Sequence, residues 1–133
     1  MPKVAVVTSV YNGEDFLEQC VHSILDQTFR DFEFIILNNG STDETAQILN
    51  QFRDPRLRII HQENLGVTRS LDKGVRMARA DLIARLDADD YSFPNRLSKQ
   101  VGFMDRNLDY ELCGSKFLEL TGSKISPQKS FFH

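Results

Sequence analysis

The chain has 133 residues, of which 41% are hydrophobic and 26% charged, and its formal net charge is -3. At roughly 100–200 residues per domain that length holds one domain or part of one, and the balance excludes collagen-like, disordered and disulfide-scaffold chains. No Lys/Arg-dense arm is present to coat nucleic acid, and purely apolar runs of four residues fall far short of the roughly 20 that span a bilayer, so a cytoplasmic chain is expected, peripheral to the inner membrane only through segments or partners it does not contain.

Val4–Val7 is a continuous apolar run, the signature of a strand buried on both faces. Asn12-Gly13 breaks it. Residues 14–26 carry Phe16, Leu17, Cys20, Val21, Ile24 and Leu25 at helical spacing. Phe32–Leu37 is a second strand, closed by Asn38-Asn39-Gly40. Ser41 with Glu44 three positions on predicts a capping box and a helix carried by Ala46, Ile48, Leu49 and Phe52, stopped at Asp54-Pro55. Leu57–Ile60 is a third strand. After the Asn64-Leu65-Gly66 loop a helix is expected to about Arg79, with Leu71, Val75 and Ala78 as its stripe.

Leu82–Leu86 is a fourth buried strand and runs into Asp87-Ala88-Asp89-Asp90. Pro94 suits the first turn of a further helix with the stripe Leu97, Val101, Met104 and Leu108. Leu112–Leu120 reads as a fifth strand, ending at Thr121-Gly122-Ser123, and the last residues show no period. Cys20 and Cys113 match no metal spacing and read as buried free thiols. His22, His61 and His133 are isolated and read as structural or exposed.

Strands alternating with helices imply right-handed βαβ crossovers and a Rossmann-like, mostly parallel sheet with helices on both faces. Ligands of such sheets bind beyond the carboxyl ends of the strands. Ser9, Tyr11 and Asn12 follow the first strand, Asn38 and Asn39 the second, and Asp87, Asp89 and Asp90 the fourth.

Three carboxylates within four residues repel each other and resist burial. They read either as a site for Mg²⁺ or Mn²⁺, which take one or two carboxylates plus substrate phosphates, or as a solvated turn capping the next helix. Arg69, Lys73, Arg76 and Arg79 share a helix face; they are either solvated or, at Arg69 near the helix start, placed for an anion. Tyr11 either stacks on a base or packs its loop. Asn39 either pairs with a base edge or serves the turn.

Taken in order, Val6-Val7-Thr8-Ser9-Val10-Tyr11-Asn12, Ser23-Ile24-Leu25-Asp26-Gln27-Thr28-Phe29, Phe32 through Asp43, Asn64-Leu65-Gly66, Leu86-Asp87-Ala88-Asp89-Asp90 and Pro94-Asn95-Arg96-Leu97 resemble glycosyltransferase family 2. These are nucleotide-diphospho-sugar transferases of the glycosyltransferase A-type fold, and the resemblance runs from residue 3 to about residue 118. It implies a base pocket lined by Ser9 and Tyr11. Asn39 takes the place of an Asp that meets uracil, Arg69 lies in a segment contributing to the nucleotide pocket, Asp87 lies near the ribose and diphosphate, and Asp89 is the metal ligand, for Mn²⁺ or Mg²⁺.

The resemblance further implies a nucleotide-diphospho-sugar donor, with a UDP-sugar expected, and a glycan or lipid-linked acceptor. Transfer would invert the anomeric centre, in bacterial surface-polysaccharide synthesis. Two departures stand out. Asn38-Asn39 replaces the usual Asp-Asp, and the general base that deprotonates the acceptor is expected beyond the chain end, so no catalytic residue is assigned. Residues 1–133 are therefore expected to be a single nucleotide-sugar-binding α/β domain, incomplete on its C-terminal side. An alternative is a catalytically inactive module that binds nucleotide-sugar and metal. Apolar surface left by the missing half, with Phe131-Phe132 at that seam, would allow a homo-oligomer. A phosphohydrolase is disfavoured because its Asp-x-Asp belongs on the first strand with Thr two residues on, where Tyr91 stands here.

Overall fold

In the computed structural model, which describes residues 1–127, the apolar runs become strands because β-branched and aromatic side chains pack well on a pleated surface. The order is β1 (Val4–Val10), α1 (Leu17–Leu25), β2 (Phe32–Asn39), α2 (Thr45–Leu49), β3 (Leu57–Gln62), α3 (Val67–Met77), β4 (Leu82–Arg85), α4 (Arg96–Arg106), β5 (Leu118–Thr121) and β6 (Lys124–Pro127). Four strands form a parallel sheet in the order β3-β2-β1-β4. Residues Met1–Ser98 form one compact unit and a second begins at Lys99.

The two central strands, β1 and β2, hold the buried core. Alternation sends Val7, Ile35 and Leu37 to one face, where Leu71 and Met77 of α3 pack on them. α1 and α2 lie on the other face, which Asn38 reaches through a hydrogen-bonded chain to His61 and on to Asn50 at the end of α2. His61 is thus structural.

Glu33 lies on the α3 face of β2 with a side chain only 3% exposed. It accepts from Arg58 (2.9 Å), the Arg79 guanidinium (3.3 Å) and the Arg79 backbone N–H. A buried carboxylate needs such partners. Burial pushes its carboxyl up, but those hydrogen bonds more than offset burial and hold it below the ordinary 4.5.

Several expectations are corrected. The first helix starts at Leu17, not at 14; Phe16 precedes it and is exposed. Val75 is 44% exposed, whereas the expected Leu71 and Ala78 do pack on the sheet and are joined there by the buried Ser70 and Gly74. A Cβ at Gly74 would lie 2.5 Å from Val7 Cγ1 and 2.8 Å from Leu37 Cδ1, so glycine sets the approach distance. Among the described residues only β1 pairs with β4, which leaves Ile83 and Arg85 exposed.

Leu108 lies beyond α4 and is 88% exposed. Residues 112–117 form no strand. β5 pairs antiparallel with β6, a strand the sequence pattern did not reveal, through Gly122 at φ 61°. Cys20 is buried as expected, but Cys113 is half-buried; both are free. Phe131, Phe132 and His133 lie outside the described residues. No described helix is long and apolar enough to cross a membrane.

Two consequences are measurable. Glu33→Gln should destabilise the chain by about 2 kcal/mol in urea unfolding at pH 7, the range for hydrogen bonds to charged groups. A lowered folded-state pKa gives stability that is present above the unfolded value and lost as pH falls through the folded one. The wild-type advantage should therefore shrink below pH 4.5. Gly74→Ala should cost about 1–3 kcal/mol through overpacking, in spite of a helix-propensity gain of about 1 kcal/mol; unchanged stability would mean Val7 and Leu37 move aside freely.

Candidate functional site

All four strands of the parallel sheet end at one edge, and the order β3-β2-β1-β4 reverses direction at β1. In open α/β sheets ligands bind at such a switch point, beyond the carboxyl ends of the strands. The loop after β1 and the acid turn after β4 flank it. Ser9 and Tyr11 thus come to the same edge as Asp87 and Asp89. Asn39 ends β2, and Arg69 stands exposed in the first turn of α3.

The loop after β1 is fixed from the loop after β2. Asn12 has φ 51°, a left-handed conformation that Asn tolerates. Its N–H donates to Ser41 Oγ (2.9 Å), and its Oδ1 accepts from the Thr42 N–H (2.8 Å). The Gly13 N–H donates to Thr45 Oγ1 (2.9 Å), and the Glu44 N–H to Glu14 (2.9 Å). The expected Ser41–Glu44 capping box is therefore replaced. Ser41 serves the neighbouring loop, and Asp43 Oδ1 accepts from the Thr45 N–H instead (2.9 Å). Tyr11, 52% exposed, projects from this clamped loop.

Asn39 is only 2% exposed. Its Oδ1 accepts from the Leu65 N–H (2.8 Å), Ser70 Oγ (2.9 Å) and Gln62 Nε2 (3.2 Å), and its Nδ2 donates to Asn64 Oδ1 (3.0 Å). Lys73 donates to Gln62 Oε1 (2.8 Å). One amide thus joins the end of β2 to the loop after β3 and to α3. Gly40 (φ 74°) makes the approach possible, because a Cβ there would sit 2.9 Å from the Asn64 nitrogen. The supposed basic face of α3 is divided: Lys73 joins this network, Arg76 pairs with Asp72 and Arg79 with Glu33.

The acid turn is held by its backbone. The Thr8 hydroxyl donates to the Leu86 carbonyl (2.8 Å), and the Cys20 thiol to that of Asp87 (3.5 Å). Further on, the Ser92 N–H donates to Ser23 Oγ (3.1 Å). Gln27, fully buried, donates to Phe93 O (2.7 Å) and accepts from the Leu97 N–H (3.0 Å). Thr28 donates to Pro94 O through its N–H (2.8 Å). Anchored in this way, the carboxylates stand in solvent. Asp87 is paired with Arg85 at 3.2 Å, both more than half exposed, and Asp89 is exposed.

The charges are felt inside the turn. Burial, then Asp89 and Asp87, push the Asp90 carboxyl up, while Arg96 pulls it down. Burial and the three carboxylates push the Cys20 thiol up to about 12, so it remains a hydrogen-bond donor. The donor set is hard oxygen. Among the described residues no group of three or more His, Cys, Asp or Glu side chains gathers to enclose an ion. Exposed carboxylates are the donor type of which a divalent ion such as Mg²⁺ takes one or two, completing its shell with phosphate oxygens and water.

Thr8, Cys20, Ser23 and Gln27 hold the site together and were missed as site residues. Their signal in the sequence was polar side chains at positions the helical and strand periods assign to the core.

Comparison with known proteins agrees with this architecture. The sequence pattern of Glycosyl transferase family 2 matches residues 5–129. A Bacillus subtilis protein named as glycosyltransferase EpsE is 37% identical over 95% of this chain and 49% of its own length. TuaG of the same organism, named as a teichuronic acid biosynthesis glycosyltransferase, is 35% identical over 99% of this chain and 53% of its own. The chain thus spans about half the length of these curated relatives. The crystal structure of S. aureus TarS 1-349 in complex with UDP superposes with a TM-score of 0.74 at 25% identity, covering 80% of this chain and 33% of that one. The family pattern covers all but the first residue of the parallel sheet and includes the acid turn, and the chain belongs to glycosyl transferase family 2.

Proposed function

We propose that residues 1–133 act as one donor-binding domain of a glycosyltransferase that moves a sugar from a nucleotide-diphospho-sugar, a UDP-sugar, to a glycan or lipid-linked acceptor. The observation that carries this reading is the acid turn anchored at the sheet's switch point beside the Tyr11 loop. Family membership and the UDP complex of TarS support the nucleotide. The name of TuaG, a teichuronic acid biosynthesis glycosyltransferase, supports polysaccharide assembly.

In this reading Ser9 and Tyr11 meet the base, Tyr11 by stacking. Asn39 holds the pocket wall, with its oxygen shared among protein donors. Arg69 approaches the anionic part of the donor. Asp87 lies by the ribose and diphosphate, and Asp89 with its neighbours would hold Mn²⁺ or Mg²⁺. When bound, such an ion offsets charge developing on the departing diphosphate. The acceptor hydroxyl attacks the anomeric carbon from the opposite side, so the configuration inverts. A base must take its proton.

A second reading is a module that binds nucleotide-sugar and metal without transferring sugar. It is favoured by the acids flanking the crevice: those of the acid turn are the ones the ion would occupy, and Glu14 of the loop after β1 accepts from the Glu44 N–H.

Calorimetry with UDP, with and without Mn²⁺, tests the shared part of both readings. Asp89→Ala should abolish the metal-dependent component, and unchanged affinity would reject the metal role. Tyr11→Ala should weaken UDP binding by about 1–3 kcal/mol, as for base–aromatic stacking; a loss within error of zero would assign Tyr11 to loop packing. Sugar release from a UDP-sugar with a glycan acceptor separates the two readings.

A further inference from the structure

We propose that Arg96 is a positioning residue for the acid turn, tying the end of β4 to the residue that closes the turn and so holding Asp87 and Asp89 in register for a divalent ion and a diphosphate. The inference rests on the metal–diphosphate reading above. Arg96 Nη2 donates to the carbonyl of Arg85 (2.8 Å), the last residue of β4, and Nη1 donates to Ser92 Oγ (3.0 Å). Residues 86–91 lie between those two feet. Both bonds leave one rigid, planar group, so the guanidinium sets the span between them.

The feet are already held from the core side. Thr8 and Cys20 take the carbonyls of Leu86 and Asp87, and Ser23 and Gln27 take the backbone of Ser92 and Phe93. Arg96 closes the loop from a half-buried position in the first turn of α4. It also adds a fixed positive charge to a turn whose three carboxylates repel each other. That charge offsets part of the repulsion while leaving the exposed oxygens of Asp87 and Asp89 for a ligand. A lysine would keep the charge but offer a single nitrogen, which cannot bridge both acceptors.

The test is calorimetric titration of UDP into wild type, Arg96→Lys and Ser92→Ala, each with and without MnCl₂, with thermal unfolding of each chain measured alongside. Arg96→Lys should lose about tenfold of the Mn²⁺-dependent gain in UDP affinity, the size seen when the partners of metal ligands are removed. Ser92→Ala, which keeps the charge and removes one foot, should lose a smaller part of it. Affinity without metal should fall by less than the Mn²⁺-dependent gain does in either variant, since the ion's ligands depend on the turn most directly. A merely structural role would lower the melting temperature and leave the gain of the folded protein intact; that result overturns the proposal. If Arg96→Lys does not fold, a full gain in Ser92→Ala overturns it equally. A wild-type chain with no Mn²⁺-dependent UDP binding removes the metal reading and this inference with it, whereas wild-type binding with unaffected variants removes the inference alone.

Discussion

The site depends on a set of buried polar side chains that donate to, or accept from, the backbone between residues 86 and 97. Thr8 on β1 and Cys20, Ser23 and Gln27 on α1 and its end are all buried, and each meets that segment. A segment carrying three carboxylates would otherwise relax outward, since like charges repel and water solvates them well. Backbone hydrogen bonds made in a dry interior resist that relaxation, because breaking one strands a buried polar group. The acid groups can therefore face water while their main chain is held as firmly as the core.

A second network does the same for the opposite wall. Asn39 uses its oxygen three times and thereby joins β2, the loop after β3 and α3. The Leu65 N–H can only donate, so it fixes which end of the amide faces it. An aspartate here would add a charge to a pocket that Asn39 now satisfies with neutral donors and the single Lys73 one bond further out. Asn39 at the end of β2 thus sits in a closed network, and its departure from the usual acid has a structural counterpart.

The loops after β1 and β2 are bound to each other more than to their own helices. Asn12, Gly13 and Glu14 exchange hydrogen bonds with Ser41 through Thr45. Such bonds restrict a loop that has little core of its own, the loop from which the exposed Tyr11 extends.

Composition and periodicity by themselves determined the parallel α/β class, the four strands of the parallel sheet and the placing of Tyr11, Asn39, Asp87 and Asp89 at strand ends, because strands that pack in a sheet leave apolar runs that polar loops interrupt. They also contained the residues that anchor the acid turn, but not their purpose: a buried Gln27 or Cys20 has the same local pattern whether it packs or holds a distant carbonyl. Only the tertiary structure decided those pairings, which join residues some 65 to 80 positions apart. It also decided that α3 approaches through Ser70 and Gly74, that Ser41 turns to Asn12 and that β5 leaves the parallel sheet for a hairpin with β6. Each is settled by a contact between segments distant in sequence or by an edge left unpaired, and local spacing carries no record of which segment arrives next to which.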